Sequence, residues 1–143
     1  MDRGAARDRW WTDRDSFDTQ DTSIIPMNTP YAPGIPKSNI WAHDPNGIDQ
    51  IGCIYTAQGF EFDYVGVIFG NDLVYNLDEQ AWEGHPENSA DNVVKRSKDK
   101  FIDLVKNTYR VLLSRGMKGC YVYFMDKDTE RFFKSRIEKG RWE

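Results

Sequence analysis

The sequence has 143 residues, of which 39% are hydrophobic and 14% aromatic, and this composition suits one domain with a packed core. The formal net charge of −4 neither favours nor excludes a nucleic-acid partner. No stretch is long and apolar enough to span a membrane, and two cysteines with two isolated histidines give no metal-ligand spacing. We therefore expect a cytoplasmic protein without a metal site.

The first 38 residues differ in character from the rest of the chain. Four prolines, at positions 26, 30, 33 and 36, exclude a helix or a central strand around them. This predicts an irregular proline-rich arm over residues 1–38, followed by an α/β domain over residues 39–143. The adjacent Trp10 and Trp11 have two possible roles. They form a stacking platform, or they anchor the arm on the domain.

The domain is predicted to alternate strands and helices. Residues 52–57 are a short β-prone run, and residues 64–69 are apolar on both faces, as expected for a covered central strand. Residues 71–94 are predicted to be mostly loop. The i, i+3, i+4 spacing of apolar side chains then predicts an amphipathic helix from about residue 97 to 114.

A third strand is predicted at residues 120–125, followed by a last helix capped by Asp126 or Asp128. The long helix allows a parallel crossover between the second and third strands. The link from residue 57 to 64 is short for such a crossover, so the relative direction of the first two strands stays open.

The stretch from Lys95 to Lys118 is basic although the chain as a whole is acidic. It holds eight Lys and Arg residues against Asp99 and Asp103, which is a local net charge of +6. Such a patch suits an anionic ligand, and it equally suits a solvated helix face.

Residues 55–65, which read YTAQGFEFDYV, combine a glycine with polar side chains after a β-prone run. A glycine at that position lets the backbone approach a ligand closely. Gln58 and Glu61 flank Gly59 with amide and carboxylate groups, which suit ribose hydroxyls or a water. An ordinary polar turn between two strands explains the same residues.

Residues 107–116, which read NTYRVLLSRG, place Arg115 at the end of the predicted long helix, before a glycine turn. An arginine there can extend into a cleft, where its planar guanidinium donates two parallel hydrogen bonds to a phosphate. The alternative is a structural arginine favoured by the helix C-terminal dipole.

Together the two segments resemble motifs V and VI of superfamily-one helicases, and they are most similar to the Schlafen-type DNA/RNA helicase domain family of bacteria. The resemblance covers about residues 33–138. It implies an incomplete second RecA-like domain of a two-domain motor, with ATP and Mg²⁺ bound between the domains. Arg115 then corresponds to the arginine finger that stabilises charge on the γ-phosphate.

The resemblance implies roles for further residues. The positions expected to bind the nucleotide beside Arg115 are Gln58, Gly59 and Glu61. Thr56, and with it Tyr55, is expected to belong to the track for single-stranded DNA or RNA. Arg110 lies five residues before Arg115 and points elsewhere on the helix, so we assign it an ion pair inside the domain.

Two parts of a complete motor are missing. A motor needs a P-loop and an acidic Walker B strand for magnesium, and the sequence contains neither. Residues 34–38 faintly resemble the end of a P-loop, but Pro36 replaces the glycine before the lysine and removes a backbone donor. The chain is therefore expected to be a fragment, active in ATP hydrolysis only together with an N-terminal P-loop ATPase domain.

Two other function classes stay open. The first is a non-catalytic module, left from a truncated helicase, that binds nucleic acid or a partner protein. The second is a small metal-dependent nuclease that uses Glu61 and Asp63, for which the sequence offers no further nuclease signature.

Overall fold

The computed structural model describes residues 8–12, 40–49, 51–89 and 91–140. Its main sheet has three strands, which are β1 (Asp8–Thr12), β2 (Phe62–Phe69) and β5 (Gly116–Phe124), numbered in chain order. Strand β2 lies in the centre and pairs in parallel with both neighbours. The prediction of a mixed α/β fold is therefore confirmed at the level of a small parallel sheet with flanking helices.

Strand β1 lies in the segment predicted to be irregular. Its backbone pairs with β2 from Asp8 opposite Tyr64 to Thr12 opposite Ile68. The prolines that argue against a strand begin only at residue 26, so none of them interrupts residues 8–12. The prolines themselves lie outside the described residues, and the structure does not decide between the two readings of the adjacent tryptophans.

Strand β2 is the buried centre of the sheet, as its apolar sequence predicts. Val65, Val67 and Phe69 alternate along the strand and all belong to the main hydrophobic core. A strand that is paired on both edges and covered by helices is stabilised by burying apolar residues at nearly every position.

Helix α3 (Phe101–Leu113) connects β2 to β5 and confirms the parallel crossover. Its buried stripe has the predicted helical spacing and consists of Phe101, Val105, Tyr109 and Leu112. Helix α4 (Lys127–Gly140) follows β5. The carboxylate of Asp126 accepts the backbone N–H of Thr129 at 2.7 Å, so Asp126 is the capping residue of the two candidates.

Residues 52–57 do not form the predicted strand; they contain the single helical turn α1 (Ile54–Ala57). The N–H of Cys53 donates to Thr56 Oγ1 at 3.0 Å, and that hydroxyl donates to the Cys53 carbonyl at 3.2 Å. The indole N–H of Trp41 donates to the Thr56 carbonyl at 3.0 Å. These local bonds satisfy backbone groups that a strand would have offered to a ladder, so the β-prone composition is overridden.

The prediction of a loop over residues 71–94 is also wrong. This region contains an antiparallel hairpin of β3 (Leu73–Asn76) and β4 (Ala81–Gly84), and the short helix α2 (Asn92–Lys95). The side chain of Asn76 holds the hairpin turn by accepting the N–H groups of Asp78 and Glu79, each at 3.0 Å. Asp91 caps α2 by accepting the N–H groups of the second and third residues of the helix.

Short 3₁₀ turns at Pro45–Asp49, Pro86–Asn88 and Lys98–Lys100 complete the described elements. The last of these turns leads into α3, which is why that helix begins later than its predicted start. Within the described ranges, no helix has the length and apolar character needed to cross a membrane.

Candidate functional site

A tight turn joins α1 to β2 and carries the residues predicted to bind a nucleotide. Gly59 has a φ of +88°, the left-handed region that glycine enters at no steric cost. An added Cβ at Gly59 would meet no atom within 4 Å, so the glycine is required for backbone conformation and not for space. Gln58, Gly59 and Glu61 are all exposed to solvent.

Arg115 lies at the junction between α3 and β5. Its carbonyl accepts the N–H of Phe62 at 3.0 Å, which joins the first residue of β2 to the residue before β5. Strands β2 and β5 are parallel neighbours, so their N-terminal ends lie at the same edge of the sheet. The turn at Gly59 and the arginine, distant in sequence, are therefore brought to one edge.

The guanidinium of Arg115 is tethered to the end of its own helix. Its Nε–H donates to the Val111 carbonyl at 3.1 Å, and Nη2 donates to Ser114 Oγ at 3.2 Å. Both acceptors are neutral, and within the described part of the chain the guanidinium forms no ion pair. The positive charge is thus available to an anion, although helix-end hydrogen bonds of this kind also fit the structural alternative.

The two residues predicted for the nucleic-acid track differ in their surroundings. The hydroxyl of Thr56 is engaged with Cys53 inside α1, as described above. The side chain of Tyr55 is 60% exposed, and its hydroxyl donates to Asp91 Oδ2 at 2.5 Å. Asp91 is the cap of α2, so Tyr55 lies beside the basic residues that begin at Lys95.

The acidic pair considered for a nuclease is not assembled into a metal site by the described residues. Asp63 accepts a hydrogen bond from Lys118 Nζ at 3.2 Å, which binds it across the sheet to β5. No group of three or more His, Cys, Asp or Glu side chains suited to a metal occurs in the described ranges. The nuclease hypothesis therefore gains no support from the geometry.

The prediction of an ion pair for Arg110 is wrong for the part of the chain that the structure describes. Its Nη1 donates to the amide oxygen of Asn107 at 3.1 Å, and the residue is exposed. Asn107 lies one helical turn earlier on the same face of α3, and it is the partner within reach there. Arg110 instead lines a cavity of about 530 Å³ between α3, the hairpin and α4.

Sequence reasoning missed the residues that share this cavity with Arg110. Lys106 lies four residues before it on α3, and this i, i+4 spacing was a usable signal for a shared helix face. Trp82 comes from the segment predicted to be loop, and Phe133 comes from a helix with no predicted role. Nothing local in the sequence indicates that these rings meet.

Shifts in pKa fall on groups outside the predicted site. Burial raises the pKa of the Cys120 thiol, which lies on the half-buried face of β5. Hydrogen bonds from Lys134 and then Lys127 lower the pKa of Glu130 on α4. A backbone hydrogen bond and then a hydrogen bond with His85 lower the pKa of Glu87. These shifts report surface pairing and burial, so they identify no acid or base for catalysis.

Comparison with known proteins gives a family match over most of the chain. Residues 4–126 match the family described as Schlafen group 3, DNA/RNA helicase domain. An uncharacterized protein of Saccharomyces cerevisiae is 32% identical over 95 residues, which cover 62% of this chain and 21% of that protein. The chain therefore spans about a fifth of the length of this relative. No solved structure matches the chain.

Proposed function

Since the chain belongs to the Schlafen group 3 DNA/RNA helicase domain family, we propose that it is part of the second RecA-like domain of an ATP-dependent helicase or translocase. One observation carries the proposal. The hydrogen bond between the Arg115 carbonyl and the N–H of Phe62 brings the arginine and the Gly59 turn to one sheet edge. A nucleotide cleft between two domains needs this grouping of an arginine with a close-approach turn.

Arg115 is proposed to be the arginine finger. Its guanidinium hydrogen-bonds only to neutral acceptors of the described chain, through Nε and Nη2, so it can turn toward an anion without breaking an ion pair. Charge that develops on a γ-phosphate during transfer is stabilised by such a group, and an arginine finger raises the rate by about 10³–10⁵-fold in GTPases.

The turn before β2 is proposed to bind the sugar side of the same nucleotide. Gly59 leaves open space where any other residue would have a side chain, so the backbone can lie against the ligand. The exposed carboxylate of Glu61 and the exposed amide of Gln58 are suited to accept hydrogen bonds from ribose hydroxyls.

The phosphates and Mg²⁺ require groups that this sequence does not supply. A P-loop and a magnesium-binding carboxylate are proposed to come from an N-terminal P-loop ATPase domain, against which this sheet edge packs. The chain spans about a fifth of the yeast relative, so most of that longer protein lies outside the matched region.

Single-stranded DNA or RNA is proposed to bind near Tyr55. The exposed ring offers a surface for base stacking, and the hydrogen bond to Asp91 holds it next to α2. The cationic side chains that follow on α2 and the next turn are Lys95, Arg96, Lys98 and Lys100. They are suited to phosphates, which predicts binding that weakens as salt rises.

The test of the motor proposal is Arg115→Ala in a longer protein that contains a P-loop domain. We expect ATP turnover to fall about a thousandfold, because a finger acts on the transition state, with folding intact. Arg115→Lys is the matched control: it keeps the charge but loses the planar fork, and it should recover only part of the rate. Unchanged turnover in Arg115→Ala would refute the assignment.

A non-catalytic binding module is the second candidate, and the exposed Tyr55 beside a basic segment favours it. We expect the 143-residue chain alone to bind single-stranded nucleic acid without ATP under this alternative. Tyr55→Ala should weaken binding by roughly 1–3 kcal/mol. If the affinity of the chain for a single strand is independent of salt and of Tyr55, this surface is not a nucleic-acid site.

A further inference from the structure

The cavity that Arg110 borders has the character of a ligand pocket. Its volume is about 530 Å³, within the range of roughly 300–1,000 Å³ that small-molecule sites occupy. Aromatic rings form much of its lining, and they are contributed by Phe69, Trp82, Tyr109 and Phe133. Phe69 ends β2, Trp82 comes from the hairpin, Tyr109 from α3 and Phe133 from α4, so four separate elements shape the cavity.

The hairpin is held close to α3 by a glycine. A Cβ built at Gly84 would lie 2.7 Å from the Phe101 ring and 2.8 Å from Ile102, so only glycine allows this approach. The close contact sets Trp82, two residues earlier on β4, under the side of α3 that carries Lys106. The ammonium of Lys106 lies 5.5 Å from the centroid of the Trp82 ring.

Two cations border the cavity without an anionic partner in the described part of the chain. Lys106 and Arg110 are one helical turn apart on α3 and line the same cavity. Arg110 bonds only to the neutral amide of Asn107, and Lys106 faces the Trp82 ring. Two adjacent positive charges repel each other, so an anion placed between them would be favoured.

We propose that this cavity binds a nucleoside phosphate, with the base against Trp82 and Phe133 and the phosphate between Lys106 and Arg110. The aromatic lining provides stacking surface for a planar base. The guanidinium and the ammonium provide charge-assisted hydrogen bonds to the phosphate oxygens. A purely apolar ligand would use the rings but leave both charges unmatched, and a free phosphate would use the charges but not the rings.

This pocket is distinct from the proposed finger site, although Ser114 touches both. Ser114 lines the cavity, and its Oγ accepts a hydrogen bond from Arg115 Nη2 at 3.2 Å. The inference does not depend on the motor proposal, because it uses Lys106 and Arg110 and not Arg115. The two can therefore fail separately.

The test is a calorimetric titration of the 143-residue chain with AMP, and in parallel with adenosine and with a short oligothymidylate. We expect saturable AMP binding that weakens roughly tenfold or more in Lys106→Met and in Arg110→Met, since each removes a charge-assisted bond. Lys139→Met, at an exposed lysine of α4 that does not line the cavity, is the matched control and should bind AMP like the unmodified chain. Circular dichroism of each variant shows whether its fold is retained.

The oligothymidylate identifies the source of the nucleoside phosphate. If it binds more tightly than AMP and shows the same sensitivity to Lys106→Met and Arg110→Met, the ligand is a unit of a nucleic-acid strand. If AMP binds more tightly, the ligand is a free nucleotide. The proposal is overturned if neither probe binds at millimolar concentration, if adenosine binds as tightly as AMP, or if Lys139→Met weakens binding as much as Lys106→Met and Arg110→Met do.

Discussion

Two parts of this molecule are stabilised by different kinds of packing. The unit of β2, α3 and β5, here called the aliphatic unit, has fully buried Val65, Val67, Val105 and Leu112 at its centre, with the buried rings Phe62 and Phe101 beside them. The unit of β3, β4 and α4 is built around rings: Phe132 stacks on Tyr75 with 3.8 Å between centroids, and Trp82 meets both edge-on. The first unit carries the proposed finger site, and the second unit encloses the proposed pocket together with α3.

Tyr109 of α3 is one of several residues that join the two units. Its ring stacks on Phe69 at 3.9 Å between centroids, and its hydroxyl donates to Asp72 Oδ1 at 2.7 Å, just before the hairpin. Because the rings of the second unit are only half-buried, whereas Val67 and Leu112 are fully buried, we expect the aromatic unit to loosen before the aliphatic one.

The largest effect is expected for Leu112→Ala in the aliphatic unit. Leu112 is fully buried between α3 and the sheet, so its truncation leaves a cavity and should cost about 2–5 kcal/mol of unfolding free energy. The measurement is urea denaturation followed by circular dichroism. Leu104 on the same helix is 40% exposed, and Leu104→Ala should change stability by less than about 0.5 kcal/mol. Equal losses in the two variants would contradict the burial argument.

A smaller and more local effect is expected for Phe132→Ala in the aromatic unit. The half-buried ring loses its stack on Tyr75 and its edge contact with Trp82, which should cost about 1–2 kcal/mol. Hydrogen exchange should rise in α4 and the hairpin while α3 and β2 stay protected. Ile137→Ala, at a residue 63% exposed on α4, is the control and should leave exchange unchanged. Uniform faster exchange across all elements would show that the units are not separable.

Gly59→Ala is expected to lower the unfolding free energy by about 1 kcal/mol through backbone strain alone. The φ of +88° is unfavourable for a side chain, whereas the space around the position is open, so no clash adds to the strain. Thermal denaturation measures the loss. Gly59→Asn is the matched variant, because asparagine tolerates the left-handed region better than alanine and should lose less. A larger loss for asparagine would mean that the side chain meets a neighbour there.

The smallest effect is expected for the pH dependence of the stability of α4, because both partners of Glu130 lie on that helix. The pKa of Glu130 is held below its ordinary value by hydrogen bonds from Lys134 and Lys127. Its stabilising contribution is therefore present above the ordinary carboxyl range and is lost as pH falls through the lowered pKa. Glu130→Gln should lower the melting temperature slightly at pH 7, and the difference from the unmodified chain should vanish at strongly acidic pH. A difference that persists in acid would mean that the carboxylate charge is not its cause.

The parts of the fold that could be predicted are those with a local period. The helical spacing of Phe101, Val105 and Leu112 indicates α3, and the continuous apolar run indicates β2, because burial imposes these patterns on neighbouring residues. The turn at Gly59 and the arginine at the helix end could be identified for similar reasons. Their meeting at one edge follows from the parallel crossover, which the length of α3 made predictable.

The parts that could not be predicted depend on side-chain hydrogen bonds that the local composition does not indicate. Helix α1 replaces a β-prone run because Trp41 and Thr56 bind its backbone, and no window of the sequence shows that pairing. The hairpin turn uses the side chain of Asn76 and four non-glycine residues, so the usual glycine signal is absent. Trp82 is placed at the cavity by this hairpin. Since the hairpin was not predicted, the cavity could not be predicted from the sequence either.

The hydrogen bond between Arg115 and Phe62 is formed by main-chain atoms of both residues, a carbonyl and an N–H. Every amino acid has that carbonyl, so exchanging the arginine for another residue removes the arginine side chain and leaves this hydrogen bond in place. The strand register therefore fixes the position of residue 115, and the guanidinium separately determines the chemistry at that position. Substitutions at this position can be interpreted as changes in chemistry at a fixed point, and many different side chains can be presented there on one unchanged scaffold.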